Sequence, residues 1–410
     1  MVNISAMNSQ SLRKYHRSLV LRLVADGITT RTDLAEAIGL SSMGITRIVN
    51  ELMDAGLIAT RGKRTNLTGP GRHSARLEIK PDGAFFIGVT VSAFTNELVC
   101  VDATGHIQCR LPFSCEDVSD ADAVVEAIAM TLKQLLIGED IDESRILGMG
   151  ATVSGIVDRA NGTVTRAGYL GWEDISFAAK LKAATGFDVV VENLANAMNM
   201  SKHRFGIANG RHSTLLVSGG TTCGSSFAQA GEPLRGYTFE AGQLGHARVT
   251  PNDLTCSCGR NDCLNTVASG WSILARSGRV KDRTFQGAHT NQYADALTEL
   301  LEGVAPKEVS KLLRDAGKNL AHATAEACLF LNPDMVLVVG AMAVSPDFAE
   351  GFSEAWDVVR LGDVATKPSY TMDTTPDVAA AAHLAMDEFF FSPKLALPQV
   401  SATDARSNHA

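Results

Sequence analysis

One histidine and three cysteines lie within eighteen residues of this sequence, and residues of these types at this spacing can bind a metal ion. They are His246, Cys256, Cys258 and Cys263, and the three cysteines share a short loop rich in turn-forming residues. Zinc prefers tetrahedral coordination by nitrogen and sulfur, which such a loop can provide. Because four protein ligands leave zinc no position for water, we expect a structural Zn²⁺ rather than a catalytic one. The alternatives are free thiols, or a disulfide between two of the cysteines.

Length and cysteine usage limit the class of protein. The chain has 410 residues. A single hydrophobic core usually supports fewer residues than this, so we expect two or three domains. The other five cysteines are scattered without a paired framework, which is typical of a reducing compartment. The sequence has no apolar stretch long enough to span a bilayer and no apolar signal core near its N-terminus. These features predict a cytoplasmic location.

Charge is unevenly distributed along the chain. Residues 1–77 contain eleven Lys or Arg and five Asp or Glu, whereas the whole chain has a net charge of −8. A basic N-terminal part on an acidic body indicates a head that binds a polyanion. A chance asymmetry of the surface is the alternative.

The N-terminal part has the pattern of a winged helix-turn-helix. An amphipathic first helix has an inner face of Leu12, Tyr15, Leu19 and Leu23, with Val20 beside it. A second, short helix covers residues 30–38 and ends at Gly39. Ser41 is the expected N-cap of a third helix from Ser42 to about Ala55, with an inner face of Ile45, Ile48, Val49 and Leu52.

The third helix is the expected recognition helix, the one that enters the DNA major groove. Its outward residues can bond or touch base edges, and they are Ser42, Met43, Thr46, Arg47 and Asn50. A strand and basic loop over residues 57–64 and a returning strand over 75–79 predict the wing. Phosphate or minor-groove contacts are expected from Arg61, Lys63, Arg64 and Arg72. The alternative is a three-helix interaction module that does not bind DNA.

The rest of the chain alternates strands and helices. Strands are predicted at residues 84–91, 97–101, 146–153, 189–191, 213–217 and 335–339, and helices at 121–136 and 378–386. This order predicts an α/β body of two lobes with a cleft between them.

Three segments of the body carry a family resemblance. The Gly-His and the three cysteines between residues 245 and 264 resemble the zinc signature of the ROK family of repressors and sugar kinases. Residues 153–158 resemble its sugar-loop motif, and residues 192–197 resemble its Asn-Asp-Ala-Asn motif. Together with the N-terminal pattern, the chain is similar to the repressor (NagC/Mlc/XylR-like) branch of that family.

The resemblance implies an actin-like (ribonuclease-H-like) α/β fold of two lobes, and assembly to a homodimer or homotetramer. It implies a domain plan that assigns residues 1–80 to the winged helix-turn-helix, 81–195 to lobe 1 and 196–375 to lobe 2 with the zinc loop. A C-terminal helix at about 376–390 is expected to complete lobe 1, and residues 392–410 are expected to form a flexible tail.

Departures from the family pattern point away from catalysis. Leu194 stands where family kinases have the Asp that accepts the proton of the sugar hydroxyl, and leucine cannot accept one. The stretches at 90–94, 220–224 and 340–342 lack the acid or the glycines of the family's nucleotide-binding loops. We therefore expect a non-enzyme.

The expected effector pocket is also altered. Gln243 and Asn265 replace two family carboxylates, while Gly155 and Asn193 are kept. Amides bond hydroxyl groups more weakly than carboxylates, so the effector is expected to be a modified sugar, a sugar phosphate, or absent. His246 can also face this pocket with the ring nitrogen that does not bind the metal.

The sequence thus predicts a transcriptional regulator of carbohydrate uptake or metabolism, which binds a double-stranded operator and senses a sugar-like effector or a partner. The repressor role is favoured over activation. One alternative is a sugar kinase with an accessory DNA-binding head. Another is a regulator that a protein partner or oligomerisation controls, with a vestigial pocket.

Overall fold

The computed structural model describes residues 8–61, 76–92, 95–139, 141–303, 305–359, 367–375 and 378–398. No helix within these ranges is long and apolar enough to cross a membrane.

The N-terminal head is built from three helices and a two-stranded sheet: α1 Ser9–Ala25, α2 Arg31–Ile38, α3 Ser42–Asp54, β1 Ile58–Arg61 and β2 Arg76–Ile79. Side chains cap the second and third helices where the sequence predicts. Thr30 Oγ1 accepts the Asp33 N–H at 3.2 Å, and Ser41 Oγ accepts the Gly44 N–H at 3.2 Å. Gly39, at a φ of 75°, ends α2 in the left-handed region that favours glycine.

The inner face of α1 agrees with the predicted one only in part, at Val20. The other predicted residues are only half-buried, namely Leu12, Tyr15, Leu19 and Leu23. The apolar residues that are fully covered are Val20, Leu21 and Val24. Helix α1 contacts α3 and β2 inside the head and also meets the body through Arg22, so apolar positions on more than one side of it are covered.

The wing strands form as predicted, and β1 and β2 pair antiparallel with Ile58 opposite Ile79. The tip of the wing lies outside the described residues, and three of the predicted DNA contacts fall there: Lys63, Arg64 and Arg72.

Lobe 1 is organised around a five-stranded sheet in the order β10-β6-β3-β4-β5. Its strands are β3 Phe85–Val91, β4 Asn96–Asp102, β5 Ile107–Pro112, β6 Ile146–Val153 and β10 Val189–Asn193, and α4 Ala121–Gly138 lies between β5 and β6 in sequence. Strands β3, β6 and β10 are parallel and the pairs with β4 are antiparallel. The central strands β3 and β6 are mostly apolar and almost entirely buried, as is typical of strands with both faces of the sheet covered.

A small sheet and two helices complete the chain of lobe 1 up to its link with lobe 2. The sheet contains β7 Ile156–Asp158, β8 Thr163–Ala167 and β9 Trp172–Ile175, and the helices are α5 Phe177–Thr185 and α6 Leu194–Phe205. Helix α6 follows directly after β10, so the residue at this junction, Asn193, lies at the carboxyl end of a parallel strand.

Lobe 2 has its own five-stranded sheet in the order β13-β12-β11-β14-β15. The strands are β11 Ser213–Gly219, β12 Cys223–Gln229, β13 Glu232–Pro233, β14 Met335–Val339 and β15 Ser369–Met372. The helices are α7 Asn265–Ala268, α8 Gly270–Arg276, α9 Thr290–Glu302, α10 Lys307–Leu331 and α11 Pro346–Val358.

The last helix, α12 Ala380–Phe389, packs on β3 and β6 of lobe 1, in agreement with the predicted C-terminal helix. Two glycines permit this close approach. A Cβ on Gly88 would clash with the Ala382 backbone nitrogen, and a Cβ on Gly150 would clash with the Ala381 carbonyl oxygen. The chain then continues into residues 390–398, where Leu395 is buried.

The head and lobe 1 share one hydrophobic core. A single cluster of buried side chains joins Leu21 and Val24 of the head to Phe86 of lobe 1 and to Phe390 and Leu395 after α12. Of the predicted flexible tail, residues 392–398 are therefore described and contribute to this core, whereas 399–410 lie outside the described residues.

Candidate metal centre, DNA-binding helix and interlobe cleft

The four predicted metal ligands come together in lobe 2. One ligand atom from each of His246, Cys256, Cys258 and Cys263 lies within 4.8 Å of the other three. His246 ends a short 3-10 turn, and backbone pairing brings Cys263 next to it, because the Leu264 N–H donates to the Ala247 carbonyl at 2.8 Å. The chain between them folds back in a tight turn at Gly259, which has a φ of 84°.

The donor set fits a tetrahedral zinc ion. Sulfur ligands at about 2.3 Å from zinc are roughly 3.8 Å apart in a tetrahedron. His246 Nδ1 lies 3.6 Å from Cys256 Sγ, and Cys258 Sγ lies 3.4 Å from Cys263 Sγ. Cys256 and Cys263 are buried while Cys258 is exposed, so a metal ion here would be enclosed on most sides.

Arg260 is part of this centre and was not predicted from the sequence. Its guanidinium donates to Cys263 Sγ at 3.0 Å and to the His246 carbonyl at 2.5 Å. Burial raises the pKa of the Cys258 thiol, but hydrogen bonds with Arg260 outweigh this and lower that pKa overall. The thiolate is the form that binds a metal, and a divalent ion with three thiolates has a net charge of −1 that Arg260 can balance.

Asn265 joins the metal loop to the sheet of lobe 2. It is 6% exposed, its Oδ1 accepts the Cys223 N–H at 2.7 Å, and its Nδ2 lies 4.0 Å from Cys256 Sγ. Gly245 packs so closely on Asn265 that a Cβ there would lie 2.6 Å from the Asn265 Nδ2. Asn265 thus positions the loop, and its predicted role in effector binding stays a prediction.

The outward face of α3 is free to meet DNA. All five residues predicted to read bases are exposed, and they are Ser42, Met43, Thr46, Arg47 and Asn50. The opposite face is buried as predicted, by Ile45, Ile48, Val49 and Leu52. Arg61, on the first wing strand, is also exposed and pairs loosely with Glu78 at 3.6 Å.

Glu51 fixes the position of α3 on α1. It accepts hydrogen bonds from Arg17 at 2.7 and 2.8 Å and from Arg13, and it lies 3.4 Å from Arg47. Burial raises the pKa of Glu51, but the hydrogen bonds from Arg13 and Arg17 more than offset this, so the pKa is lowered. No local sequence pattern indicates this cluster, because its members are up to 38 residues apart.

Two of the predicted effector residues meet in lobe 1. Asn193 caps α6, since its Oδ1 accepts the Ala195 and Asn196 N–H groups, and its Nδ2 donates to the Gly155 carbonyl at 2.7 Å. Gln243 lies in lobe 2 and is exposed, and its carbonyl accepts the His246 N–H at 3.0 Å. Hydrogen bonds therefore join Asn193 to Gly155 and Gln243 to His246, and among the described residues no hydrogen bond or ion pair links these two pairs directly.

A buried carboxylate lies beside Asn193. Glu192 is 1% exposed and accepts from Arg235 Nε at 2.8 Å and from Arg159 Nη1 at 3.4 Å. Its other oxygen accepts the Asn193 N–H at 2.8 Å. Leu194 follows as the first residue of α6 and has no group that could accept a proton. The carboxylate nearest to Asn193 in sequence is thus held by two guanidinium groups.

Comparisons with known proteins agree with this architecture. Residues 88–361 match the ROK family, and residues 12–59 match a winged helix-turn-helix DNA-binding family. A xylose repressor of Caldicellulosiruptor bescii is 22% identical over 337 residues, which cover 81% of this chain and 84% of that protein. A glucokinase of Halalkalibacterium halodurans is 26% identical over 277 residues, covering 64% of this chain and 82% of the glucokinase.

A solved structure supports the fold over almost the whole chain. The crystal structure of a ROK family transcriptional regulator, a homologue of the E. coli MLC protein, has a TM-score of 0.74 and 19% identity. It covers 93% of this chain and 98% of its own. The predicted combination of an actin-like two-lobe body with an N-terminal winged helix-turn-helix is thereby confirmed.

Proposed function

The chain belongs to the ROK family, and we propose that it is a DNA-binding transcriptional regulator, acting as a repressor, that responds to a sugar or sugar derivative. The observation that carries this proposal is the exposed reading face of α3 on a winged helix-turn-helix that shares its core with the ROK body. A relative named as a xylose repressor matches 81% of the chain, whereas the glucokinase matches 64%.

The body works without catalysis in this proposal. A sugar kinase needs a base near the sugar hydroxyl, and Leu194 stands at the start of α6 where the family resemblance places that base. The neighbouring Glu192 is held by Arg159 and Arg235. Both observations support binding of a ligand in the cleft without phosphoryl transfer.

Zinc is the metal that we propose for the cluster of His246 and the three cysteines. Three thiolates and one imidazole are typical of structural zinc sites, and all four positions of the tetrahedron are supplied by the protein. When bound, the ion would cross-link the loop that carries Gln243 and His246 to the loop that carries Cys256, Cys258 and Cys263.

The remaining parts of the proposal follow from the same architecture. Gly155, Asn193, Gln243, His246 and Asn265 are proposed to line or support the effector site. A homodimer is proposed because a helix-turn-helix protein reads two half-sites of a palindrome with two recognition helices. The cytoplasm is the proposed location, since DNA is the partner.

A footprint on the DNA upstream of the protein's own coding sequence tests the function. We expect protection of a short palindrome at physiological salt and in excess competitor DNA, because specific contacts add to the salt-sensitive phosphate contacts. Protection that disappears with competitor would contradict the proposal.

The second candidate function is a sugar kinase, which the match to a glucokinase supports. It predicts consumption of ATP that depends on an added sugar. We expect no sugar-dependent consumption of ATP across a panel of hexoses, pentoses and their amino derivatives. A Leu194→Asp variant, which restores a carboxylate at the position of the base, is the matched control. Sugar-dependent formation of ADP by the unmodified protein would favour the kinase.

A further inference from the structure

A chain of ion pairs runs from the loop of lobe 2 to the DNA-binding head. It begins at Arg235, which follows β13 and donates to Glu192 at 2.8 Å. Glu192 also binds Arg159 at 3.4 Å, and Arg159 donates to Glu388 of α12 at 2.8 Å. The next residue of α12 toward the N-terminus, Asp387, binds Arg22 of the head helix α1 at 2.9 Å.

Helix α6 connects the same two regions as this chain of ion pairs: it begins next to Glu192 and ends near the DNA-binding head. Its N-cap, Asn193, is the proposed effector residue that adjoins Glu192. Near its other end, about 18 Å away for twelve residues, Arg204 donates to Asp26 of the head at 3.1 Å. The Arg204 guanidinium also lies 4.3 Å from the centre of the Phe391 ring.

Helices α6 and α12 are fastened to each other between these ends. Ser201 Oγ lies 2.8 Å from His383 Nδ1, and the Phe205 and His383 rings have centroids 4.0 Å apart. Because protein interiors are close-packed, a displacement of α6 must be followed by α12. Both helices contact the head, so the head must follow them.

The first arginine of the chain of ion pairs and the arginine by which α6 contacts the head share an unusual feature. Arg235 and Arg204 each have a buried Nη2 without a hydrogen-bond partner among the described residues. A buried guanidinium N–H without a partner is unfavourable, since burial of a charged donor must be compensated. Another arrangement of the Arg235 loop and of the head interface that satisfies these groups would therefore compete with this one.

We propose that the state of the cleft is transmitted to the DNA-binding head through Arg235, Glu192, Arg159 and the Asp387-Glu388 pair of α12, with α6 moving as one body with α12. A ligand that takes Arg235 away from Glu192 leaves a buried carboxylate with one partner fewer, so Arg159 shifts toward it and away from Glu388. The contact of Asp387 with Arg22 then loosens. This inference rests on the proposed function for its meaning, but the relay itself does not require DNA or a sugar.

Hydrogen exchange of the full chain, measured by mass spectrometry without DNA or sugar, tests the relay. Arg235→Gln removes the charge at the end remote from the head. We expect amides of α1 (Ser9–Ala25) to exchange at least about fivefold faster than in the unmodified protein, the lower range of a typical coupling between sites. Arg235→Lys keeps the ion pair with Glu192 and should restore most of the protection.

The matched control is Arg166→Gln. Arg166 pairs at 3.5 Å with Glu240, which lies on the same loop as Arg235. The Arg166 side chain is 62% exposed and does not belong to the chain of ion pairs. Its loss should leave α1 unchanged. Unchanged exchange of α1 in Arg235→Gln, or equal acceleration in Arg166→Gln, would overturn the relay.

A second variant is needed if Arg235→Gln accelerates hydrogen exchange throughout lobe 2. Glu388→Gln interrupts the chain at α12 with an isosteric side chain. Faster exchange in α1 with an unchanged lobe 2 supports the relay, and unchanged α1 overturns it. If exchange responds as expected while the unmodified protein protects no DNA in the footprint, the relay stands and the proposed function fails.

Discussion

At the scale of single residues, two charged side chains position the recognition helix and the metal loop. Glu51 gathers Arg13 and Arg17 from α1 and Arg47 from α3, so the recognition helix is fixed to the first helix by charge as well as by its apolar face. Arg260 holds the metal loop by binding Cys263 Sγ and the His246 carbonyl. Neither role is visible in the sequence, because each depends on groups that only the fold brings together.

The lowered pKa of Glu51 makes the stability of the head depend on pH. Glu51 ionises at lower pH in the folded chain than its ordinary pKa of 4.5, so its contribution is complete above that value and is lost as the pH falls through the folded pKa. Glu51→Gln should cost about 1–3 kcal/mol at pH 7 and less at pH 3, which lies below the ordinary pKa of 4.5. Urea unfolding followed by helix circular dichroism measures both. An equal cost at both pH values would contradict this role of the carboxylate.

Loss of one thiol should empty the metal centre. Cys263→Ser is expected to lower bound zinc from about one ion per chain to near zero and to lower the melting temperature by several degrees, because metal binding contributes folding free energy. Emission spectrometry of the purified protein counts the metal. Cys115→Ser, at a half-buried position outside the cluster, is the control and should keep its zinc. Full zinc content in Cys263→Ser would show that the cluster binds the metal in another way.

At the scale of elements, local signals were reliable where they are set by neighbouring residues. The caps at Thr30 and Ser41, the end of α2 at Gly39 and the six predicted strands of the two lobes lie where the sequence predicts, whereas β5, β7, β8, β9, β12, β13 and β15 were not predicted. The inner face of α1 was predicted only in part, since Val20 is buried as expected but the remaining burial depends on the body as well as on the head. A helix with two partners buries residues that a single amphipathic stripe does not identify.

The outward face of α3 should determine affinity for DNA without affecting stability. Arg47 has a side chain 72% exposed, so Arg47→Ala should reduce affinity for the operator by roughly 5- to 150-fold, the value of a good base contact, while the melting temperature changes little. Asn50→Ala should have a similar effect. Fluorescence anisotropy with labelled duplex measures this, and Arg279→Ala on the exposed surface of lobe 2 is the charge-matched control. Equal losses for Arg47→Ala and Arg279→Ala would mean that α3 does not read bases.

At the scale of the whole molecule, the head is part of the body rather than a separate module on a linker. Leu21 and Val24 of the head lie in one apolar cluster with Phe390 and Leu395 from the C-terminal segment. The sequence pattern changes near residue 80, which predicts a domain boundary there, but the hydrophobic core extends across that boundary. Such a junction suits a regulator, because the head packs directly on α12 and the segment that follows it.

Removing a side chain from this shared core should destabilise the head and lobe 1 together. Leu395 is 2% exposed, so Leu395→Ala should cost about 2–5 kcal/mol and shift one common transition. Calorimetry together with tryptic digestion of the head measures this. Leu234→Ala, at a position 51% exposed, is the size-matched control and should have little effect. Release of the head in a transition of its own would contradict the shared core.

The sequence was sufficient to predict features that local residue patterns specify. It was insufficient for features that depend on tertiary contacts. The spacing of His246 and the three cysteines predicted a cluster that the structure brings within bonding reach of one ion. The ion pairs between Arg159 and Glu388 and between Arg22 and Asp387 join residues 229 and 365 positions apart, and nothing in their local sequence distinguishes them from other charged residues.

Selection of DNA from a random duplex library by the full-length protein tests the central claim most directly. A dimeric winged helix-turn-helix regulator predicts enrichment of an inverted repeat whose half-site centres lie about one or two helical turns apart, and loss of that enrichment in Arg47→Ala. Recovery of sequences without a common motif, or the same motif with Arg47→Ala as with the unmodified protein, would contradict the account.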